Sequence, residues 1–484
     1  MEVRDTLSKF PYVAVVTVTR NRCDMVLRVF SQVSKLDYPR KMLDIFLIDN
    51  ASTDGTVEEV RQRFPDVFIT LSDKNLGPTP GWNIGIKEVL KAQKNYKYIW
   101  LLDDDVKIEQ LTLMSLIKEA ERDPHIAVVG SVVYDLHNPE QLVTAGLHID
   151  WNKPALFYNI PEPEKVEELF DVTIMPACSS LIRTDLYRKL GLFDERLRLY
   201  WGDTEWCVRA IRNGYRVCCS GKSKVWHRNW VNIKPDFSFP YAIHGRVQSE
   251  LFFHLFYNPH HSISGVRNMI LKSYLKAAFE NLTLRPNFSR AYDKGVQDFL
   301  KVNLSKEGFS SWSDDLKLSG IDEICRTLSG KVSESPKIIL NQIADESQKT
   351  EIKKIFQKYF HQIRWKEIPV RKSIESVNAT DRLHVYLFSY FPKLLFNLLI
   401  FFNRSDVIIS SVSTPYLYNI AAARYTIFFD QSLQGCFLKN RILSGLMKLF
   451  KTLFRGLWIA YFDLPRALKN VHLGQPILHN IEEC

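Results

Sequence analysis

Three consecutive carboxylates, Asp103-Asp104-Asp105, follow directly on the apolar run Tyr98-Ile99-Trp100-Leu101-Leu102. Adjacent acids repel one another, so the cluster gains nothing for folding unless a cation is held among them. Hard oxygen ligands of this kind suit Mg²⁺ or Mn²⁺, which usually bind through one or two carboxylates together with substrate phosphates. A second pair of acids, Asp203 and Glu205, opens the helical stretch Tyr200-Trp201-Gly202-Asp203-Thr204-Glu205-Trp206. A carboxylate within reach of a hydroxyl can act as a general base. At a helix N-terminus the helix dipole also favours its ionised form and predicts a lowered pKa for Asp203. His227 stands beside Trp226, where it can ligate a metal or simply pack. Each feature alone has a plain reading: a solvated acidic turn, a dipole effect, a core histidine.

The elements around these residues alternate. Tyr12 to Thr19 is β-branched and nearly all apolar, as a central parallel strand should be. Leu43 to Asp49 is a second strand and runs into the turn-rich Asn50-Ala51-Ser52-Thr53-Asp54-Gly55-Thr56. Val67 to Leu71 is a third, the loop Asn75-Leu76-Gly77-Pro78-Thr79-Pro80-Gly81 leads into a helix from Trp82 to Gln93, and the run before the acid triplet is the fourth. Strand and helix in turn predict an α/β fold with a mostly parallel, Rossmann-like sheet, whose ligands lie at the carboxyl ends of the strands. Further strands are expected at Val128 to Tyr134, Arg216 to Ser220 and Lys224 to His227, with Asn213-Gly214 capping the helix that Asp203 opens.

At 484 residues the chain is expected to hold two or three domains. We place them at 1–240, a helical extension at 241–334, and a smaller α/β domain with amphipathic helices at 335–484. Its 46% hydrophobic and 24% charged residues exclude a disordered or fibrous class. The formal charge of +10 fits a phosphate-bearing partner; no RNA- or DNA-binding motif is found, so nucleic acid is set aside. The eight cysteines make no CxxC pair and no zinc spacing, and Met1 to Phe10 lacks the apolar core of a signal peptide. Reduced thiols and a cytoplasmic location are expected.

The first ~240 residues resemble family 2 glycosyltransferases of the GT-A fold, a segment of ordinary domain size. The resemblance is carried in order by Val16-Thr17-Val18-Thr19-Arg20-Asn21-Arg22, Ile48-Asp49-Asn50-Ala51-Ser52-Thr53-Asp54-Gly55, Asn75-Leu76-Gly77, the acid triplet, Gly191-Leu192-Phe193-Asp194-Glu195, Trp201-Gly202-Asp203-Thr204-Glu205 and Trp226-His227. The triplet and the Trp-x-Asp-x-Glu segment are most similar to bacterial galactofuranosyltransferases, and rhamnosyltransferases share the pattern. The resemblance implies an inverting, Mn²⁺- or Mg²⁺-dependent transfer from a nucleoside-diphosphate sugar to a growing surface glycan such as O-antigen, capsule or cell-wall polysaccharide. The donor it implies is UDP-galactofuranose or another UDP-sugar, with dTDP-rhamnose as the alternative. It further implies metal ligation by Asp103, Asp105 and His227. Donor contacts fall to Thr19, Arg22, Asp49, Asn75, Asp103 and Asp104, general-base catalysis to Asp203, and acceptor binding to Trp201 and Glu205. A non-catalytic glycan- or nucleotide-binding subunit of the same fold is the competing reading, against which the intact acid set argues. Two positions depart from the galactofuranosyltransferase pattern: Asn83 follows Gly81-Trp82 where an arginine is usual, and Ala177-Cys178-Ser179-Ser180 replaces a Gly-rich segment. Both leave the donor sugar open.

Leu383 to Phe402 has the length of a membrane span but contains His384, Ser389, Pro392, Lys393 and Asn397; a buried element of the C-terminal domain is expected. In Leu443 to Phe462, Lys448, Lys451 and Arg455 recur at helical spacing among leucines and aromatics. Such a basic amphipathic helix suits a membrane interface, and equally a helix packed on the C-terminal sheet or a contact between copies in a homo-oligomer. A lipid-linked acceptor at the inner face of the cell membrane fits the first.

Overall fold

The computed structural model describes residues 10–149, 151, 157–159, 169–228, 239–258, 263–282, 286–302, 319–329, 331–332, 336–341, 346–360, 362–368, 405–411, 423–429, 434–439 and 442–468. These fall into two compact units, one from the described residues of 1–233 and 248–266, the other from those of 234–247 and 267–470.

In the first unit, β1 (Val13–Thr19) sends Val13 and Val15 into one core and Ala14 and Val16 into another. That is the two-residue period of a strand covered on both faces. The chain continues through α1 (Cys23–Val33), β2 (Leu43–Asp49), α2 (Thr56–Arg63), β3 (Phe68–Leu71), α3 (Pro78–Lys91), β4 (Tyr98–Leu102), β5 (Lys107–Ile108), α4 (Thr112–Ala120) and β6 (Ile126–Asp135). It then runs through β7 (Leu142–Thr144), β8 (Leu147–Ile149), β9 (Phe157–Asn159), β10 (Leu169–Asp171), β11 (Ser179–Arg183), α5 (Thr184–Leu190), α6 (Gly202–Arg212) and β12 (Arg216–His227). The main sheet has the order β10-β12-β6-β11-β4-β1-β2-β3. Its strands β3, β2, β1 and β4 are parallel, as expected. The sequence reading is refined at β11, which lies antiparallel between β4 and β6 and makes the sheet mixed. The two stretches read as separate strands at Arg216 and Lys224 form the single strand β12, irregular between Ser220 and Lys224.

Two features of this sheet position the site. The chain leaves β1 for β2 on one side and returns to β4 on the other, so the ends of β1 and β4 form a switch point where a crevice opens. Helix α3 lies close on β1 because Gly81 and Gly85 face it: a Cβ at Gly81 would come within 2.7 Å of Val18, and one at Gly85 within 2.5 Å of Val16.

The second unit contains most of the described helices after β12: α7 (Phe239–Phe256, from Gln248 on part of the first unit), α8 (Ile263–Leu282, up to Val266 part of the first unit), α9 (Pro286–Val302) and α10 (Ile321–Ser329), which follows β13 (Ser319–Gly320). Next come β14 (Lys337–Asn341), α11 (Glu346–Gln357), β15 (Arg364–Ile368), β16 (Ser405–Ser411), β17 (Ala423–Phe429), β18 (Gln434–Lys439) and α12 (Ile442–Trp458). A π-helical turn (Ile459–Asp463) joins α12 to α13 (Leu464–Leu468). A second sheet of order β13-β18-β17-β16-β14-β15 is parallel from β15 to β17. Its core includes Ile324, Leu328, Ile338, Leu340, Ile352 and Phe356. The stretch Leu383 to Phe402 lies outside the described residues, and no described helix is long and apolar enough to cross a membrane.

Candidate active site

The acid triplet leaves β4 at the switch point, and the two residues of β5 fix what it meets. Lys107 pairs with Trp226 and Ile108 with Val225. That short ladder brings the end of β12 alongside the triplet. His227 Nε2 consequently lies 2.9 Å from Asp105 Oδ1 and 3.6 Å from Asp103 Oδ2. One ligand atom from each of Asp103, Asp105 and His227 falls within 4.8 Å of the others. Two carboxylate oxygens and an imidazole nitrogen so disposed could hold a metal ion. Asp104 turns the other way. It is 3% exposed and accepts hydrogen bonds from the Thr19 hydroxyl at 2.6 Å and from Arg22 Nη1 at 2.7 Å.

The electrostatics follow from burial and crowding. Desolvation, with the neighbouring Asp105 and Asp104 charges, pushes the Asp103 carboxyl up to about 7. Burial alone would also raise Asp105, but its hydrogen bond to His227 and the charge of Arg22 bring it below the ordinary range. Burial would lower His227; the hydrogen bond to Asp105 and the charges of Asp103 and Asp105 outweigh it and raise the imidazole pKa. Bringing carboxylates this close without a cation is therefore electrostatically unfavourable, and a divalent ion relieves it.

Two loops flank the triplet and are tied to each other. Asn21 takes a left-handed φ of 51° and its Oδ1 accepts the Thr53 N–H at 2.7 Å, while the Asn21 N–H donates to Ser52 Oγ at 2.9 Å. Arg22 also donates to Asp105 at 3.0 Å, so its guanidinium bridges two of the acids. Thr19 is 2% exposed and its hydroxyl is committed to Asp104, so it positions that acid rather than presenting a free group to a donor. At the end of β2 lies Asp49, 3% exposed. Its Oδ2 caps the Ser52 N–H at 2.9 Å, and its Oδ1 is buried with no hydrogen-bond partner among the described residues. An orphaned buried carboxylate oxygen calls for an N–H donor. Asn75 Oδ1 accepts the Gly77 N–H at 3.0 Å and shapes the following loop.

Sequence reading missed the clamps on that loop. The Asn50 side chain accepts from Leu76 N–H at 2.8 Å and donates to Gly77 O at 3.2 Å. The Arg198 guanidinium donates to the carbonyls of Asn75 and Leu76. Asn50 lies in a quoted motif and is a common turn former; Arg198 carries no local signal, because its partners are more than a hundred residues away. Asn83, the departure noted above, is 2% exposed and bonded through its amide to Phe193 and Glu195.

Asp203 is brought to the triplet by the residues just before β11. The Asp103 N–H donates to Cys178 O at 3.1 Å, and the Ala177 N–H donates to Asp203 Oδ2 at 3.1 Å. Two adjacent residues thus link Asp103 of the cluster to Asp203. Burial raises the Asp203 pKa against the lowering effect of the Ala177 and Thr204 N–H groups. The expected lowering is corrected: the helix N-terminus is outweighed by desolvation. Trp201, at a left-handed φ of 74°, precedes it. For a bulky residue that is a strained conformation. Its indole lies 4.8 Å from the Phe253 ring, on which Trp151 also stacks at 5.9 Å. Both tryptophans are partly exposed, and Phe253 is fully buried.

Glu205 is placed differently from expectation. It is 1% exposed, and its two oxygens accept from Arg209 Nε at 2.8 Å and Nη2 at 2.5 Å. Arg209 also donates to the carbonyls of Leu190 and Leu192. A carboxylate spent in this way inside the core does not reach an acceptor; the pair pins α6 to the end of α5. Replacing Arg209 with Met leaves Glu205 buried and unpaired, and is expected to destabilise the protein by about 3–5 kcal/mol. Urea unfolding monitored by circular dichroism measures this.

Residues 14–191 match the family model Glycosyl transferase family 2. The chain carries a glycosyl transferase family 2 domain. Relatives include the glycosyltransferase AglE of Haloferax volcanii, 24% identical over 43% of this chain and 64% of that protein. The galactofuranosyltransferase GlfT1 of Mycolicibacterium smegmatis is 25% identical over 42% of this chain and 66% of its own. An N-acetylglucosaminyl-diphospho-decaprenol L-rhamnosyltransferase of Mycobacterium tuberculosis is 24% identical over 38% and 66%. The chain thus spans less than two thirds of the length of these relatives. Among solved structures, GalNAc-T7 with UDP, GalNAc and Mn²⁺ is similar over 60% of this chain and 56% of that one, at 16% identity and a TM-score of 0.42, a likeness too loose to bear on function. The family 2 match covers Thr19, Arg22, Asp49, Asn75 and the triplet, and ends before Asp203, Glu205 and His227. Those three are placed at or away from the site by the tertiary contacts alone.

Proposed function

We propose that this chain is an inverting, metal-dependent glycosyltransferase that moves a sugar from a nucleoside diphosphate to the hydroxyl of a growing surface glycan. The observation that carries the reading is the joining of the Asp103, Asp105 and His227 cluster to Asp203 through Ala177 and Cys178. Asp103, Asp105 and His227 hold Mn²⁺ or Mg²⁺. When bound, the cation offsets the negative charge that gathers on the diphosphate as the sugar leaves. Arg22 adds a positive charge at the same edge, and the free Asp49 oxygen accepts the imide N–H of a pyrimidine base. Asp203 takes the proton of the attacking hydroxyl; its raised pKa suits a base working near neutrality. Trp201 and Trp151, both partly exposed, offer ring surface to the acceptor sugar.

The galactofuranosyl and rhamnosyl relatives support a UDP-sugar, UDP-galactofuranose among them, with dTDP-rhamnose as the second reading. Asp49 suits both, since uracil and thymine present the same imide. A lipid-linked acceptor at the inner membrane face fits the net positive charge. The test is to incubate the protein with Mn²⁺ or Mg²⁺ and a panel of nucleotide sugars. Release of UDP or dTDP that stops on adding EDTA is expected; release indifferent to the chelator would remove the metal from the reading.

A further inference from the structure

Helix α12 and the turns after it show two unlike faces. One is buried within the second unit through Gly456, Ile459, Ala460, Leu464 and Ala467. Its approach is close: a Cβ at Gly456 would lie 2.5 Å from Tyr274 of α8. Arg455 pairs with Asp293 at 3.0 Å, and Arg267 lies 4.7 Å over the Tyr461 ring. The other face carries Phe450, Phe454, Leu457, Trp458, Tyr461 and Phe462, with exposures of 65%, 67%, 50%, 46%, 51% and 51%. Spacings of four, three, one, three and one residues keep them on one side of the helix. Scattered exposed apolar residues need no explanation, but six in one register do.

We propose that this face seats the protein on an anionic bilayer surface, with the aromatic rings at the headgroup boundary. The charges beside it select that occupant. Within 449–468 the exposed charged residues are Lys451, Arg455 and Arg466, and no acid is exposed. A helix with an aromatic apolar face flanked by cations lies in the plane of the interface and is drawn to anionic lipid. Trp and Tyr, each with an apolar body and a polar tip, suit that depth. The face serves the proposed transfer by holding the enzyme where a lipid-linked acceptor resides, but its test needs no sugar, so the two readings fail separately.

The experiment is co-sedimentation of the full chain with vesicles of phosphatidylcholine containing phosphatidylglycerol, against phosphatidylcholine alone. Binding to the anionic vesicles is expected, falling by about tenfold or more in Phe454→Ser with Trp458→Ser. A fall of about tenfold is likewise expected in Lys451→Glu with Arg466→Glu. These side chains are exposed, so the melting temperature should stay unchanged. Quenching by brominated lipid, present in the native chain and reduced in Trp458→Phe, reads the same contact without a drastic substitution. Absence of vesicle binding overturns the proposal, as does binding that these variants leave intact. A lipid-indifferent dimer dissolved by Phe454→Ser with Trp458→Ser also overturns it, in favour of a second copy on this face.

Discussion

Replacing Asp203 with Asn is expected to lower sugar transfer by about 10²–10⁴-fold, the usual contribution of a positioned general base. The amide keeps the size of the side chain and one oxygen to accept the Ala177 N–H, so the segment that also holds Asp103 stays in place. Nucleotide binding should not change, because Asp49, Arg22 and the metal ligands are untouched. A nucleotide titration beside the rate of UDP or dTDP release separates the two effects; unchanged turnover removes Asp203 as the base. The pH profile carries a second signature. A base acts only when deprotonated, and burial raises the Asp203 pKa. The rate should therefore fall as pH drops through a value above the ordinary carboxylate range, and this limb should vanish from the residual activity of Asp203→Asn.

Replacing His227 with Ala, or Asp105 with Ala, is expected to weaken Mn²⁺ binding by at least about 100-fold, since losing even a supporting partner of a ligand costs 10–100-fold. Calorimetric titration of EDTA-treated protein measures this. Its pH dependence has a definite sign. The pKa of Asp103 is raised to about 7 and that of His227 is also raised, so both groups hold protons that a cation must displace. Metal affinity should increase with pH through this range, with proton release visible as a dependence of the measured heat on the buffer. Stability of the chelated protein should move the opposite way. A group with a raised folded-state pKa binds more protons folded than unfolded, so its contribution is complete at low pH and is lost as pH rises through the folded value. Asp103 gives such a loss between about pH 4 and 7, and His227 above 6.5. Added Mn²⁺ should restore stability most at the high end. Mn²⁺ affinity that is flat with pH and unchanged in His227→Ala would remove the imidazole from the ligand set.

The apolar periodicity of β1, β2 and β4 made the parallel half of the sheet legible, because a strand covered on both faces has no choice but to be apolar throughout. The acid triplet stood out for the opposite reason: three adjacent carboxylates repel one another and call for opposing charge, which Arg22 supplies in part to Asp104 and Asp105. Position within the sheet was not legible. The antiparallel placement of β11, which joins Asp103 to Asp203 through Ala177 and Cys178, depends on pairings with β4 and β6 that no local pattern encodes. The same is true of His227, brought to Asp105 by the two-residue ladder of β5. Glu205 shows the limit most clearly. Two residues from Asp203 and equally acidic in the sequence, it faces the core and is consumed by Arg209, while Asp203 accepts the N–H of Ala177, the neighbour of the residue bonded to Asp103. The sequence by itself determined which residue types were available and which strands must be buried. Only the tertiary structure decided which carboxylates share a site and which protonation each prefers, because desolvation and opposing charge depend on neighbours distant in the chain.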